Sequence, residues 1–519
     1  MGIEALIKDP AKATHTWYKS SALDFPAAIE YSTGEILLAG AYRRLILSKV
    51  PEESAIDLGR LRELPAKVLL RSSEVPEDVW TQILFDRDGL RSPPAMGQIK
   101  QAKDLPQLSP LVPQIAWHAG VLGAPRGRWN PGNLLIGSLA AGTSFDNSRN
   151  ILSALRASLL VDASDDLFAR FLNRELECAA VKPPPTESEI LDSSDIKAYR
   201  QVSPRRLNIT SRLSPAEQAV VDLPSVLALK NRFTRRQWTS MVEGFMRFSL
   251  GSHILWVCRL NGKIWKLALN ALEESISLPD RTQLEKTLYE DHLGNVPSLT
   301  LGQSALPIFR AHIEQYVTAR FGLSMLAYIK PNMPELGSPS APITDLPQDV
   351  HKLLHWLRTN RKDFEIDGHD PAVWARMNLS AILDKHPKYA GAQKSTFSNN
   401  IVEYLRHSMG KLQAIEDDDK EYDQYFLLRK TSKTNTAPWL IEPGPALQML
   451  WVHLCCKSNY GSASLKELSS YLLNYGIVIP ESQTAVTAPM RLESLGLVID
   501  SPDAAGGRML VDPFPQSPL

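Results

Sequence analysis

A chain of 519 residues exceeds what one hydrophobic core ordinarily serves, so about three or four domains are expected. Its 44% apolar content and 11 tryptophans exclude wholesale disorder. The 57 Lys and Arg balance 57 Asp and Glu, which excludes a uniformly basic nucleic-acid coat but leaves room for local patches.

The first segment, residues 1–181, reads as a mixed α/β region. Prolines recur throughout, and Glu35-Ile36-Leu37-Leu38-Ala39 has the look of a short strand. From Ser148 a long helical pattern reaches Glu177. The glycine-rich run Gly120 to Gly132 lacks the Lys-Ser/Thr pair that meets a terminal phosphate, and Pro125 and Pro131 remove backbone donors. A surface or inter-subunit loop is the better reading. The proline-rich stretch Lys182-Pro183-Pro184-Pro185 then breaks any helix.

Residues 190–330 read as a basic helical domain. Thr234-Arg235-Arg236-Gln237 has the form of a capping box, opening a helix that carries Trp238, Met241, Val242, Phe245 and Phe248. From Lys197 to Lys266 there are thirteen Lys/Arg against three Asp/Glu, and nine of the thirteen are arginine. Arginine's planar fork suits phosphate oxygens, so Arg205, Arg206, Arg232, Arg235 and Arg236 are candidate nucleic-acid contacts. The competing reading pairs these arginines with the acids just downstream: Glu273, Glu274, Asp280, Glu285, Glu290 and Asp291.

Five prolines between Pro331 and Pro347 mark the next linker, and residues 348–415 read as a small helical domain with at least three helices. One starts at Asp370-Pro371, where Asp caps and Pro fills the first turn. Leu379 to Leu383, a turn, and a helix from about Lys394 to His407 give a weak helix-turn-helix pattern, with Lys394, Thr396, Asn399, Asn400 and Arg406 as candidate DNA contacts. An ordinary helical hairpin is the alternative. His351 and His355 share one helical face, but Lys352 stands where the metalloprotease pattern needs Glu. With Leu353, Leu354 and Leu357 beside them, they are expected to border a core face, and neither metal nor cofactor is expected. Glu416 to Glu421 reads as a solvated acidic loop.

The last segment, residues 437–519, has an apolar helix pattern from Ala446 to Leu454 and a second from Ser464 to Leu473. A third candidate helix ends in Arg491 to Ile499, before the turn Pro502 to Gly507 and the strand Arg508 to Val511. Three helices and a hairpin in this order resemble the winged-helix superfamily. The resemblance implies DNA binding or an interface within DNA-handling machinery. This segment holds four Lys/Arg against seven Asp/Glu, so protein docking is the use expected, through Thr487, Pro489, Met490 and Arg491.

No catalytic constellation emerges. Asp195-Ile196-Lys197 and Asp418-Asp419-Lys420 match a nuclease triplet in letters only, and Gly302 to Leu306 misses a nucleophile elbow. Cys178, Cys258, Cys455 and Cys456 form no metal or disulfide framework, and neither a secretory leader nor a membrane-length apolar run is visible. A cytoplasmic protein without membrane contact is expected. The sequence thus describes a mainly α, multidomain, non-catalytic scaffold subunit. It is expected to touch nucleic acid, DNA foremost, and to join other subunits of a bacterial complex acting on DNA, such as a restriction or antiviral-defence assembly. Two rivals are an enzyme assembled from His118, Arg126, Arg128, Asp146 and Arg149, and an adaptor that binds proteins alone.

Overall fold

The computed structural model describes residues 2–10, 12–21, 23–24, 36–46, 109–113, 131–143, 145–177, 213–290, 299–336, 345–387, 397–411, 423–432, 436–459, 461–480, 490–500 and 508–515. Fifteen α-helices occur among them: α1 Gly2–Lys8, α2 Thr16–Lys19, α3 Ile36–Leu45, α4 Pro131–Ala141, α5 Phe145–Leu159, α6 Leu167–Glu177, α7 Pro215–Ala228 and α8 Arg235–Leu272. They continue with α9 Arg281–Glu285, α10 Ala305–Ile329, α11 Leu346–Thr359, α12 Pro371–Lys385, α13 Phe397–Met409, α14 Pro445–Ser458 and α15 Leu465–Asn474. The seven strands are short: β1 Leu299–Thr300, β2 Leu428–Lys430, β3 Trp439–Ile441, β4 Ser462–Ser464, β5 Ile477–Val478, β6 Val498–Asp500 and β7 Arg508–Val511. The chain is mainly helical.

The axis is α8, whose 38 residues span about 57 Å at 1.5 Å per residue. Its start is fixed as the sequence suggests: Thr234 Oγ1 accepts from Gln237 N at 3.4 Å, and Gln237 Oε1 accepts from Thr234 N at 3.1 Å. Every residue from Met241 to Asn261 is buried, so this helix is covered on all sides. α10 runs alongside it, and Gly322 permits their approach, since a Cβ there would sit 2.6 Å from the Trp265 ring. α3 and α4 pack together against α8, α7 covers a further face, and α11, α12 and α13 close the remainder. No helix among the described residues is long and apolar enough to cross a membrane.

Segments that read as separate along the sequence share one continuous core, from Leu6 to Leu510. The amino-terminal residues are tied in by polar contacts as well. Tyr18 OH donates to Asn261 Oδ1 at 2.7 Å, and Arg320 pairs with Asp24 at 3.2 Å.

Three local expectations need correction. Residues 36–45 form a helix, not a strand. Leu37, Leu38, Ala41, Tyr42 and Leu45 give a helical face wholly inside the core, and a five-residue apolar run cannot distinguish the two forms. The long pattern from Ser148 to Glu177 is two helices, broken at 160–166, where Asp162, Asp165 and Asp166 take up local and long-range hydrogen bonds. Finally, Leu492–Gly496 is a turn leading into β6; Met490 is the only helical residue described there.

At the carboxyl end the elements follow the order α14-β4-α15-β5-β6-β7, with β6 and β7 separated by 501–507, outside the described residues. β4, β7 and β6 form an antiparallel sheet in that spatial order, with Ala463 opposite Leu510 and Ile499 opposite Met509. β5 leaves this sheet and pairs in parallel with β1, Leu299 opposite Ile477.

Candidate nucleic-acid and partner surfaces

The loop before α6 and the start of α8 form a buried charge cluster. Arg235 is 1% exposed. Its guanidinium donates to Asp165 Oδ1 at 3.0 Å, Tyr42 OH at 2.8 Å and the Leu111 carbonyl at 3.1 Å, as well as to the Leu159 carbonyl. Lys230 pairs with Asp162 at 2.8 Å and Asp165 at 3.1 Å. Burial pushes the Asp162 carboxyl up, but hydrogen bonds from Lys230 and Ser164 outweigh it and hold the group at about 2. The Arg235 side chain therefore faces inward, contrary to its expected role as a phosphate contact. A charge in the interior needs partners, and here aspartates some seventy residues upstream supply them.

The same fate meets other cations of the basic segment. Arg247 makes a two-pronged pair with Asp423 at 2.8 and 3.1 Å, both side chains buried. Arg259 is buried as well, and Lys263 Nζ donates to the Thr287 carbonyl at 2.5 Å. Arg236 is half-buried and donates to Ser109 Oγ. Arg232 is exposed, and its Nη1 meets the Pro515 carbonyl at 2.5 Å. For Lys230, Arg235 and Arg247 the partners are Asp162, Asp165 and Asp423, none of them in the acid stretch just downstream. Glu273 and Glu274 instead meet Arg376 and Arg361.

Of the second candidate set, Asn399 and Asn400 lie half-buried in the first turn of α13. Arg406, about two turns on, pairs with Glu403 of its own helix. Lys394 and Thr396 fall outside the described residues, as do Arg205, Arg206, Thr487 and Pro489. Met490, expected at a docking surface, is fully buried, so it is a core residue. Arg491 stays at the surface with a positive φ of 37° and lies 3.7 Å from Glu442. For the enzyme rival, Asp146 and Arg149 fall in the first turns of α5, and His118, Arg126 and Arg128 lie outside the described residues.

Sequence reasoning passed over Asp222, the centre of the contact between the carboxyl-terminal elements and the helical body. Its Oδ2 accepts from Tyr471 OH and from Tyr475 OH, each at 2.6 Å, and its Oδ1 accepts from Gln218 Nε2 at 3.0 Å. Gln218 Oε1 in turn accepts from Asn474 Nδ2 at 2.8 Å. Burial drives the Asp222 carboxyl up to about 6, against the lowering pull of those three donors. The only hint in the sequence is an aspartate set among Val220, Val221 and Leu223 of α7. Beside this hub, Ser252, Trp256 and Arg259 of α8, His312 of α10 and Gly476 border a cavity of about 20 Å³. That is room for one water and far too little for a nucleotide.

At the far end, His453 Nδ1 lies 2.7 Å from Asp512 Oδ1, and Phe514 packs edge-on to both His453 and Phe233. Arg232 thus belongs to the seat of the carboxyl-terminal tail. No protein-family model matches this chain, and no curated protein or solved structure matches it either.

Proposed function

We propose that this chain is a non-catalytic scaffold subunit of a multi-protein complex acting on DNA, and that it meets phosphates through residues 197–212. The observation that carries the reading is the division of the basic segment. Lys230, Arg235, Arg247 and Arg259 are buried in the body. By contrast, 197–212 holds Lys197, Arg200, Arg205, Arg206 and Arg212 and no carboxylate. Five cations without an acid form a local electrostatic footprint for a polyanion. The carboxyl-terminal order of helices and strands, with β7 between β4 and β6, supports the winged-helix resemblance. Its excess of acids and its attachment at Asp222 favour a fixed structural role over groove reading.

The test is a titration of labelled duplex and single-stranded DNA between about 50 and 200 mM salt. Affinity should fall by orders of magnitude across that range, and Arg205→Glu with Arg206→Glu should remove it while Arg232→Glu has a smaller effect. Equal damage from Arg232→Glu would return the contact to the start of α8. Absence of binding to any DNA at low salt would favour the second reading, an adaptor that joins proteins only, which the acid-rich carboxyl-terminal segment supports.

A further inference from the structure

His351 and His355 lie one turn apart on α11, whose opposite face buries Leu353, Leu354 and Leu357. Leucine burial fixes the rotation of this helix about its axis, and with it the direction of both imidazoles. His351 is half-buried and His355 exposed. Their Nε2 atoms converge to 3.1 Å, with ring centroids 4.3 Å apart. Two imidazole nitrogens at that separation have two uses. One is a hydrogen bond between neutral rings of opposite tautomer. The other is a shared metal ion.

The distance suits the second use closely. With Zn–N bonds of about 2.0–2.1 Å, nitrogens this far apart subtend an angle of about 98° at the metal. An ideal tetrahedral angle needs a separation of about 3.3 Å, a few tenths of an ångström more, which a small rotation of either side chain supplies. The electrostatics agree. Burial and the neighbouring His355 both lower the His351 pKa, against an opposing pull from the Asp280 carboxylate. Asp280 caps α9, which packs against α11, so it adds negative potential to the site. Lys352, nearest in sequence, is turned to Asp349 at 3.5 Å.

We propose that His351 and His355 form a two-histidine surface site for a borderline divalent metal ion, Zn²⁺ foremost, with water in the remaining positions. Nitrogen ligands select Zn²⁺, Ni²⁺ or Cu²⁺ over the oxygen-seeking Mg²⁺ and Ca²⁺. Two protein ligands leave the ion's other positions open to solvent.

The experiment is a calorimetric titration of the full chain with Zn²⁺ at pH 7.5, with Co²⁺ absorption as a second readout. It compares the unaltered protein with His351→Ala, His355→Ala and Lys352→Ala. The unaltered chain and Lys352→Ala should each bind one equivalent that both histidine variants lose or hold at least about tenfold more weakly, since removing a direct ligand costs no less than removing its outer support. Mg²⁺ should not compete for this equivalent, because it seeks oxygen ligands. The same stoichiometry and affinity in all four proteins would overturn the site and leave a plain hydrogen bond between the two rings. None of the three side chains is buried, and an unchanged far-UV spectrum separates lost binding from lost folding.

Discussion

Arg235 brings a full positive charge into the interior, where it is matched by Asp165, a phenol and backbone carbonyls. Deleting one member of such a set strands the others. Arg235→Ala is expected to cost about 3–5 kcal/mol, toward the lower end because Lys230 still meets Asp165 at 3.1 Å. Arg232→Ala, three residues away and exposed, should stay within about 0.5 kcal/mol. Urea unfolding of the two variants checks the contrast, and equal losses would contradict the burial argument. Nothing in the sequence separates the two arginines. Their letters and neighbours are alike, and the difference arises from aspartates at 162–166 that meet only one of them directly.

Asp222 gives a second prediction at the residue scale. Its folded pKa of about 6 stands above the ordinary carboxylate value. Below about pH 3 folded and unfolded forms both hold the proton, and no penalty applies. As the pH rises toward 6 the unfolded chain ionises first, so stability falls, by an amount on the order of 3 kcal/mol, and stays lower above that. Asp222→Asn should flatten this fall. Its oxygen still accepts from both tyrosines, while its amide faces the Gln218 donor, so its stability is lower at acid pH. Denaturation midpoints measured at pH 4, 5, 6 and 7 show whether the slope goes with the carboxylate; an unchanged slope in the variant assigns it to other groups.

Among the elements, α8 was the most legible. Thr234 and Gln237 marked its start, and the spacing of Trp238, Val242 and Phe245 its inner face. The cap at Asp370 was equally plain: it accepts from Ala372 N at 2.9 Å and Val373 N at 3.3 Å. Short apolar runs were not legible, because α3 and a strand share one local pattern; the Glu243 carboxylate that accepts from Leu37 N and Leu38 N at the start of the helix lies some two hundred residues away. The last candidate helix failed for a related reason. Gly496 adopts a positive φ of 69°, a turn position that apolar periodicity does not reveal. The α8–α10 contact yields a prediction with opposing contributions. Gly322→Ala gains about 1 kcal/mol of helix propensity, but it drives a Cβ into the Trp265 ring, for which overpacking costs about 1–3 kcal/mol. Net destabilisation is expected in a thermal melt. A raised Tm would mean that the indole moves aside freely.

For the whole molecule, the shared core sets the limits on dissection. Phe248 of α8 packs against Trp451 and Tyr475 at 5.2 and 4.4 Å between ring centroids. Removing residues 437–519 therefore opens the side of α8 rather than releasing an independent module. The shortened chain should bind a hydrophobic dye and lose near-ultraviolet ellipticity while keeping helical signal. A truncated protein as cooperative in unfolding as the full chain would show that the two parts fold separately. Composition and periodicity disclosed the helical class, but they do not disclose which faces meet, because that depends on pairs such as Phe248 and Tyr475, more than two hundred residues apart.

The parallel pairing of β1 with β5 has a mechanical consequence. Leu299 N donates to the Gly476 carbonyl at 3.3 Å, and Leu301 N to Val478 at 3.1 Å. One residue further on, Gly302 N meets the Ile441 carbonyl at 2.9 Å, and Ile441 N meets the Gln303 carbonyl at 2.9 Å. Together with the Asp222 hub these make three separate fastenings between the carboxyl-terminal elements and the helical body. A joint held at one point can pivot, and at two it can still turn as a door does. Held at three points it resists both motions, so the sheet of β4, β7 and β6 is expected to move with α8 as one body.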